Sequence, residues 1–177
     1  MTELDPSPRI ETRRLVLRPA SMTDAGRIAL LANDVDVARM TTRIPHPFGL
    51  EHAEAFLARV ETQDPARECV FAIELDDEGL IGIMGFHRTE AMGPEIGYWL
   101  GRPYWGRGLA TEAAGGALLW ASAEWKQRAV VSGHFADNPA SGRVLEKAGF
   151  LYTGEVQERH SAARGGVART RMMVWLA

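Results

Sequence analysis

Three successive strand patterns joined by short connections lie between residues 69 and 100, and they restrict the fold more than any other feature. Apolar residues recur at every second position over 69–75, and residues 80–87 and 95–100 form two further apolar segments. Residues 76–79 read Asp-Asp-Glu-Gly, which is typical of a turn. Short connections join antiparallel neighbours, whereas a parallel connection needs a crossover of about a dozen residues or more. The sequence therefore predicts an antiparallel meander.

Helix and strand patterns alternate on both sides of this meander. Helical spacing of apolar residues follows Ser21 or Thr23 and returns from near residue 50. A long helix is expected over about 109–125, and another begins at Asn138-Pro139 and ends at Gly149. Further strands are expected over 13–19, 130–136, 151–158 and 170–176, with a polar segment at 159–169. The pattern predicts an α/β (α+β) fold with a mostly antiparallel sheet flanked by helices.

Length and composition restrict the class of protein. The chain of 177 residues suits one domain, expected over 10–177 after a flexible N-terminal tail of residues 1–9. Its net charge of −3 argues against nucleic acid as a partner. No signal peptide or apolar run of about 18 residues is present, so no membrane partner is expected. The single cysteine excludes an intrachain disulfide and fits a cytoplasmic location.

A glycine-rich segment precedes the long helix at residues 106–111, Gly-Arg-Gly-Leu-Ala-Thr. A helix N-terminus presents unpaired backbone N–H groups and about half a positive charge. Glycines allow a phosphate to approach this backbone closely, and Arg107 adds a side-chain donor. The segment therefore predicts a phosphate or pyrophosphate site.

Two common nucleotide loops fit this segment poorly. A Walker A loop needs Lys followed by Ser or Thr, but Lys126 and Lys147 both lie elsewhere. The Rossmann signature needs a third glycine where Thr111 stands, and it follows the first strand of a parallel unit. The strands before this loop are expected to be antiparallel, so another phosphate ligand is favoured.

Residues 105–110, Trp-Gly-Arg-Gly-Leu-Ala, resemble the coenzyme A loop of the GCN5-related N-acetyltransferase (GNAT) family, Gln/Arg-x-x-Gly-x-Gly/Ala. Trp105 departs from the usual Gln or Arg, while Gly108 and Ala110 match. The preceding Glu-Ile-Gly-Tyr-Trp-Leu at 95–100 is similar to the RimJ/RimL branch, which acetylates ribosomal-protein N-termini. So are the opening segment at 13–18 and the segment at 138–150. These motifs occur in order over almost the whole chain.

The resemblance implies a GNAT fold whose central sheet is splayed into a V-shaped slot for acetyl-CoA, with no metal. The strand at 95–100 would diverge from that at 130–136, and the pantetheine arm would lie between them as an extra strand does. A backbone N–H near Leu100 would polarise the thioester carbonyl. The residues that the resemblance assigns to acetyl-CoA are Trp99, Leu100, Trp105, Gly106, Arg107, Gly108, Leu109, Ala110, Thr111 and Asn138.

The resemblance also suggests candidates for proton transfer. Glu95 stands where the family often places a general base that acts through water, although a solvated carboxylate at a strand end is an equal alternative. Many members use a tyrosine early in the helix after Asn138, and this chain has none there. Ser141 is the hydroxyl available at that place. It either serves the leaving thiol or only bonds the helix backbone.

Other reactive residues are interpreted as structural. Cys69 shares a strand face with Phe71, so we expect a core residue rather than a nucleophile. His134 is expected to be a hydrogen-bonded core residue, and Trp120 and Trp125 to pack in the core. The histidines have no spacing that indicates a metal site.

Amine chemistry favours one class of acceptor and leaves alternatives open. An α-amine has a pKa near 8, whereas a lysine amine near 10.4 needs about 3 kcal/mol more to lose its proton at neutral pH. A glutamate that acts through water and a serine hydroxyl are weak catalysts of proton transfer. They therefore favour an N-terminal α-amine of a protein or peptide. An antibiotic, polyamine or amino-acid metabolite is the alternative acceptor, and a non-catalytic acyl-CoA-binding module is the alternative class. A homodimer is one candidate assembly.

Overall fold

The computed structural model describes residues 8–90 and 93–177, so residues 1–7 of the expected tail lie outside the described residues. This part of the chain contains eight strands and five α-helices. Their bounds are β1 Ile10–Glu11, β2 Leu15–Pro19, α1 Ala25–Ala32, α2 Val35–Ala38, α3 Leu50–Glu61, β3 Glu68–Leu75, β4 Gly79–Thr89, β5 Gly93–Leu100, α4 Leu109–Ala123, β6 Ala129–Phe135, α5 Pro139–Lys147, β7 Leu151–Ser161 and β8 Gly166–Leu176.

The strands form one eight-stranded sheet in the order β1-β2-β3-β4-β5-β6-β8-β7. β3, β4 and β5 pair antiparallel in sequence order, so the predicted meander is confirmed. Within the described chain, β5 and β6 are the parallel neighbours, and their strand register joins a single pair, Glu95 with Val131. Beyond this pair the two strands diverge. The sheet is therefore open in its middle, as the predicted V-shaped slot requires.

Local signals set the two helices that flank this opening. Asn138 caps α5 by accepting the Ser141 backbone N–H at 3.3 Å, and Pro139 is the first helical residue. Gly149 follows the helix with a φ of +100°, which favours glycine. Gly108 begins α4 with a φ of +73°. The predicted starts of both helices are confirmed.

Small residues bring α4 close to the sheet. Four alanines of α4 are fully buried, and its Trp120 stacks on Trp125 with ring centroids 5.9 Å apart. Trp120 also meets Phe71 edge-on, which confirms the expected packing role of both tryptophans. Within the described residues, no helix has the length and apolar content needed to cross a membrane.

The last hairpin is longer than the sequence predicts. β7 and β8 run to residues 161 and 166, so most of the polar segment at 159–169 is strand and not loop. β7 lies at the sheet edge, and its first six residues are all exposed. An edge strand tolerates polar residues on both faces, so it lacks the apolar alternation that indicates a strand. β1 and α2 were not predicted, and α4 ends at Ala123, earlier than expected.

The two adjacent glycines of α4 give a matched test of its packing. A Cβ on Gly116 would lie 2.8 Å from Thr12 Cγ2, whereas a Cβ on Gly115 would meet nothing within 4 Å. Thr12 cannot easily turn away, because its hydroxyl donates to Glu112 at 2.7 Å. We expect Gly115→Ala to raise the free energy of unfolding by about 1 kcal/mol.

Gly116→Ala gains the same helix propensity but overpacks the contact with Thr12. We expect it to lower the free energy of unfolding by about 1 kcal/mol. Urea unfolding of both variants checks the pair. Equal stabilisation by the two substitutions would contradict the close approach of α4 to Thr12.

Candidate active site

A cavity of about 1350 Å³ runs along the opening between β5 and β6. At one end it is lined by the glycine-rich loop, and at the other by Glu95 and residues around α3. It brings together eleven of the twelve residues predicted from sequence, which are Glu95, Trp99, Leu100, Trp105, Gly106, Gly108, Leu109, Ala110, Thr111, Asn138 and Ser141. Arg107 does not line it.

The divergence of the strands leaves backbone groups of β5 facing the cavity. The carbonyl oxygen of Ile96 accepts the Ser132 hydroxyl at 3.0 Å, and that of Leu100 accepts the Trp105 indole N–H at 2.8 Å. In a regular antiparallel pair, alternate residues turn both their N–H and C=O to the same side. The N–H groups of Tyr98 and Leu100 therefore point away from β4 and towards the slot.

The glycine-rich loop presents backbone donors at its end of the cavity. Gly106 and Gly108 have φ values of +71° and +73°, in the left-handed region that favours glycine. Gly108 is the N-cap of α4, so the first-turn N–H groups of Leu109, Ala110 and Thr111 open towards the same place. This arrangement can bind an anionic phosphate without a lysine.

Arg14, which the sequence interpretation did not single out, fixes this loop. Its guanidinium donates to the Arg107 carbonyl at 3.0 Å and to the Glu112 carboxylate at 2.7 Å. Burial opposes the charge on Glu112, but hydrogen bonds from Thr12 and Arg14 outweigh it and lower the pKa of that carboxyl. The Arg107 side chain instead lies 3.7 Å from Glu78, outside the cavity. The arginine that stabilises the loop is therefore Arg14.

Two hydroxyls meet across the slot from β5 and α5. The Tyr98 phenol and the Ser141 hydroxyl are 2.8 Å apart, and burial raises the pKa of Tyr98 to about 12. Tyr98 is therefore protonated at neutral pH. α5 carries no tyrosine, and this phenol reaches Ser141 from β5 across the slot. Its place in the segment at 95–100 was visible in the sequence, whereas its distance to Ser141 was not.

Glu95 is buried and ion-paired. It is 7% exposed, so the alternative of a solvated strand-end carboxylate is wrong. Both of its oxygens accept from the Arg159 guanidinium, one from Nη1 and the other from Nη2 at 3.1 Å. The extension of β7 to Ser161 carries Arg159 over the end of β5. The polar composition around Arg159 gave no signal for this partner.

The other reactive side chains behave as expected. Cys69 is buried, and burial raises the pKa of its thiol to about 12. His134 is buried with its ring nitrogens within hydrogen-bond distance of the Phe135 carbonyl, at 2.9 Å, and the Tyr152 hydroxyl, at 3.0 Å. Within the described residues, no cluster of three metal-ligating side chains occurs.

The sequence matches the acetyltransferase (GNAT) domain family over residues 14–151. The chain belongs to this family of acetyltransferases, and acetyl-CoA is its acetyl donor.

Two curated relatives agree with this assignment. The uncharacterized N-acetyltransferase YoaA of Bacillus subtilis is 29% identical over 161 residues, covering 85% of this chain and 87% of the relative. The ribosomal-protein-serine acetyltransferase of Escherichia coli is 33% identical over 87 residues, covering 48% of each chain.

Solved structures share the fold. Mycobacterium smegmatis RimJ in complex with CoA-disulfide has a TM-score of 0.80 and 21% identity, covering 97% of this chain and 87% of that chain. Spermidine N-acetyltransferase from Vibrio cholerae, in complex with CoA and spermine, has a TM-score of 0.76 and 19% identity, covering 92% and 95%.

Substitution of Gly108 tests the phosphate loop. Gly108→Val places a branched side chain where the phosphate approaches and strains the left-handed backbone. We expect the Kd for acetyl-CoA to rise at least tenfold, which is about 1.4 kcal/mol of binding free energy. Isothermal titration calorimetry measures it directly.

Gly165→Val is the matched control for this measurement. Gly165 has a φ of +65° in the turn between β7 and β8, so the backbone strain is similar at a place away from the loop. We expect its Kd for acetyl-CoA to match that of the unmodified protein. Equal affinity of the unmodified protein and both variants would contradict the assignment of the phosphate site to residues 106–111.

Proposed function

We propose that this protein transfers acetyl directly from acetyl-CoA to the α-amine at the N-terminus of a protein or peptide. One observation carries the choice of acceptor. Every carboxylate among the described residues that line the cavity is ion-paired with an arginine. The pairs are Glu68 with Arg59, Glu95 with Arg159, and Asp137 with Arg164.

Paired carboxylates suit an acceptor with a single amine. A polyamine carries several ammonium groups. Each of them loses hydration in the cavity, and this costs free energy unless an unpaired carboxylate binds the ammonium. Here a polycation would have to displace arginines from short ion pairs, such as the 2.8 Å contact of Arg164 with Asp137. An α-amine brings one ionisable nitrogen and does not need several unpaired carboxylates. The similarity to a ribosomal-protein-serine acetyltransferase supports the same choice.

The proposed binding of acetyl-CoA follows the cavity from the loop inwards. The N–H groups of residues 106–111 hold the pyrophosphate, with Trp105 beside it. The pantetheine arm runs between the splayed strands, past the Asn138 amide and Trp99. The N–H of Leu100 donates to the thioester oxygen and stabilises the charge that develops there during attack.

We assign separate residues to the proton of the leaving thiol and to the proton of the acceptor amine. Ser141, held 2.8 Å from the Tyr98 phenol, lies on the α5 side and serves the leaving thiolate. Glu95 lies on the acceptor side, where the family resemblance assigns a general base that acts through water. Cys69 does not line the cavity and is held as a thiol at neutral pH, so it supplies no acyl carrier. This supports transfer within a ternary complex.

An acceptor screen that follows thiol release tests the proposal. We expect peptides with a free α-amine to react faster than matched Nα-blocked peptides with an internal lysine, and faster than spermidine. The reason is the lower pKa of the α-amine together with the neutralised carboxylates. Initial rates at saturating acetyl-CoA give the comparison.

The same screen distinguishes the alternatives. A small-molecule amine that reacts faster than every peptide would overturn the protein acceptor. Binding of acetyl-CoA with no turnover of any amine would indicate a binding module instead of an enzyme of this specificity. The expected cytoplasmic location belongs to this proposal, and a homodimer, if formed, is compatible with it.

A further inference from the structure

Three titratable side chains form a row across the acceptor end of the cavity. Glu68 on β3 pairs in register with His87 on β4, which in turn pairs with Glu95 on β5. Directly paired residues project from the same face of the sheet, with Cβ atoms about 5 Å apart. All three line the cavity. His87 therefore lies between two carboxylates.

The two carboxylates are committed to arginines, whereas the imidazole is not. Arg59 holds Glu68 at 3.1 Å, and Arg159 takes both oxygens of Glu95. The ring of His87 forms no hydrogen bond with the described residues. A carboxylate held by a guanidinium on both oxygens is poorly placed to collect a proton. The histidine beside it is available.

Next to this row, the facing positions of β4 and β5 are both glycines. The next pair on the same face of β4 and β5 towards Leu100 is Gly85 with Gly97. A Cβ on Gly97 would meet nothing within 4 Å, whereas a Cβ on Gly85 would lie 3.2 Å from Val70 Cγ2, so the open space is at Gly97. An amine can therefore approach the sheet here, beside His87 and on the path to the N–H of Leu100.

We propose that His87 is a catalytic residue that takes the proton from the acceptor ammonium, and that Glu95 stabilises the imidazolium that forms. This inference rests on the proposed acetyl transfer to an amine. It makes Glu95 a positioning residue that acts through His87.

The proton balance closes without a further reactant. One proton passes from the ammonium to a ring nitrogen of His87, and the freed nitrogen lone pair attacks the thioester carbon. The tetrahedral intermediate loses its second nitrogen proton as the C–S bond breaks, and the thiolate, beside Ser141, gains a proton. The products are the amide and the free thiol, and His87 returns its proton to solvent.

The surroundings keep His87 in the form that accepts a proton. Burial lowers the pKa of its imidazole, and the nearby Arg43 and Arg159 lower it further, while Glu95 and Glu68 raise it. The net direction is downward, so the ring is neutral at pH 7. Its protonation in acid predicts that kcat falls as the pH drops below the ordinary histidine range near 6.5.

Two variants test the role of His87. His87→Gln keeps the size and polarity but cannot titrate, and His87→Ala opens space for added imidazole. We expect both to lower kcat by about 100-fold or more, with the acid limb of the kcat profile lost in His87→Gln. Added imidazoles should restore His87→Ala, with rates that increase with their basicity.

Glu95→Gln is the matched control for rescue. It removes the charge beside His87 but leaves no space for imidazole, so we expect loss without rescue. Thermal unfolding and acetyl-CoA affinity of each variant establish that it is folded and binds the donor. Activity of His87→Gln within about threefold of the unmodified protein, or failure of every imidazole to rescue His87→Ala, would overturn the inference. Inactivity of the unmodified protein towards all amines would instead overturn the proposed function.

Discussion

The site depends on one interrupted contact in the sheet. β5 and β6 run parallel and pair at Glu95 and Val131, and they then separate towards Leu100. If the pairing continued, the N–H groups of Tyr98 and Leu100 would form hydrogen bonds with β6 and the cavity would be closed. Separation leaves them free for a ligand that lies along the strand. It also sets the loop at 106–111 at one end of the opening and Glu95 at the other.

Arginine placement determines the charge of this opening. Only two of the 20 basic residues are lysines, so 18 are arginines, whose planar guanidinium suits paired contacts with carboxylates. Arg159, Arg59 and Arg164 each neutralise a carboxylate of the cavity. The net charge of −3 conceals this pattern. An acceptor therefore meets neutral ion pairs rather than an acidic wall, and His87 remains as an uncommitted base.

Local signals were sufficient for much of this structure. The turn at 76–79, the Asn138 cap and the glycines before α4 each act within a few residues, so the sequence predicted the meander and both helix starts. The extension of β7 was missed because an edge strand exposed on both faces has no apolar alternation. The contacts of Glu95 with Arg159 and of Tyr98 with Ser141 join residues 64 and 43 positions apart. Such contacts depend on the whole sheet, and no local pattern indicates them.

In the proposed reaction, one open slot holds acetyl-CoA and the acceptor amine together for direct transfer. Initial rates with acetyl-CoA and an N-terminal peptide varied against each other test it most directly. Double-reciprocal lines that intersect are predicted, because both substrates must be bound before either product leaves. Parallel lines would indicate a covalent acetyl-enzyme and would contradict direct transfer.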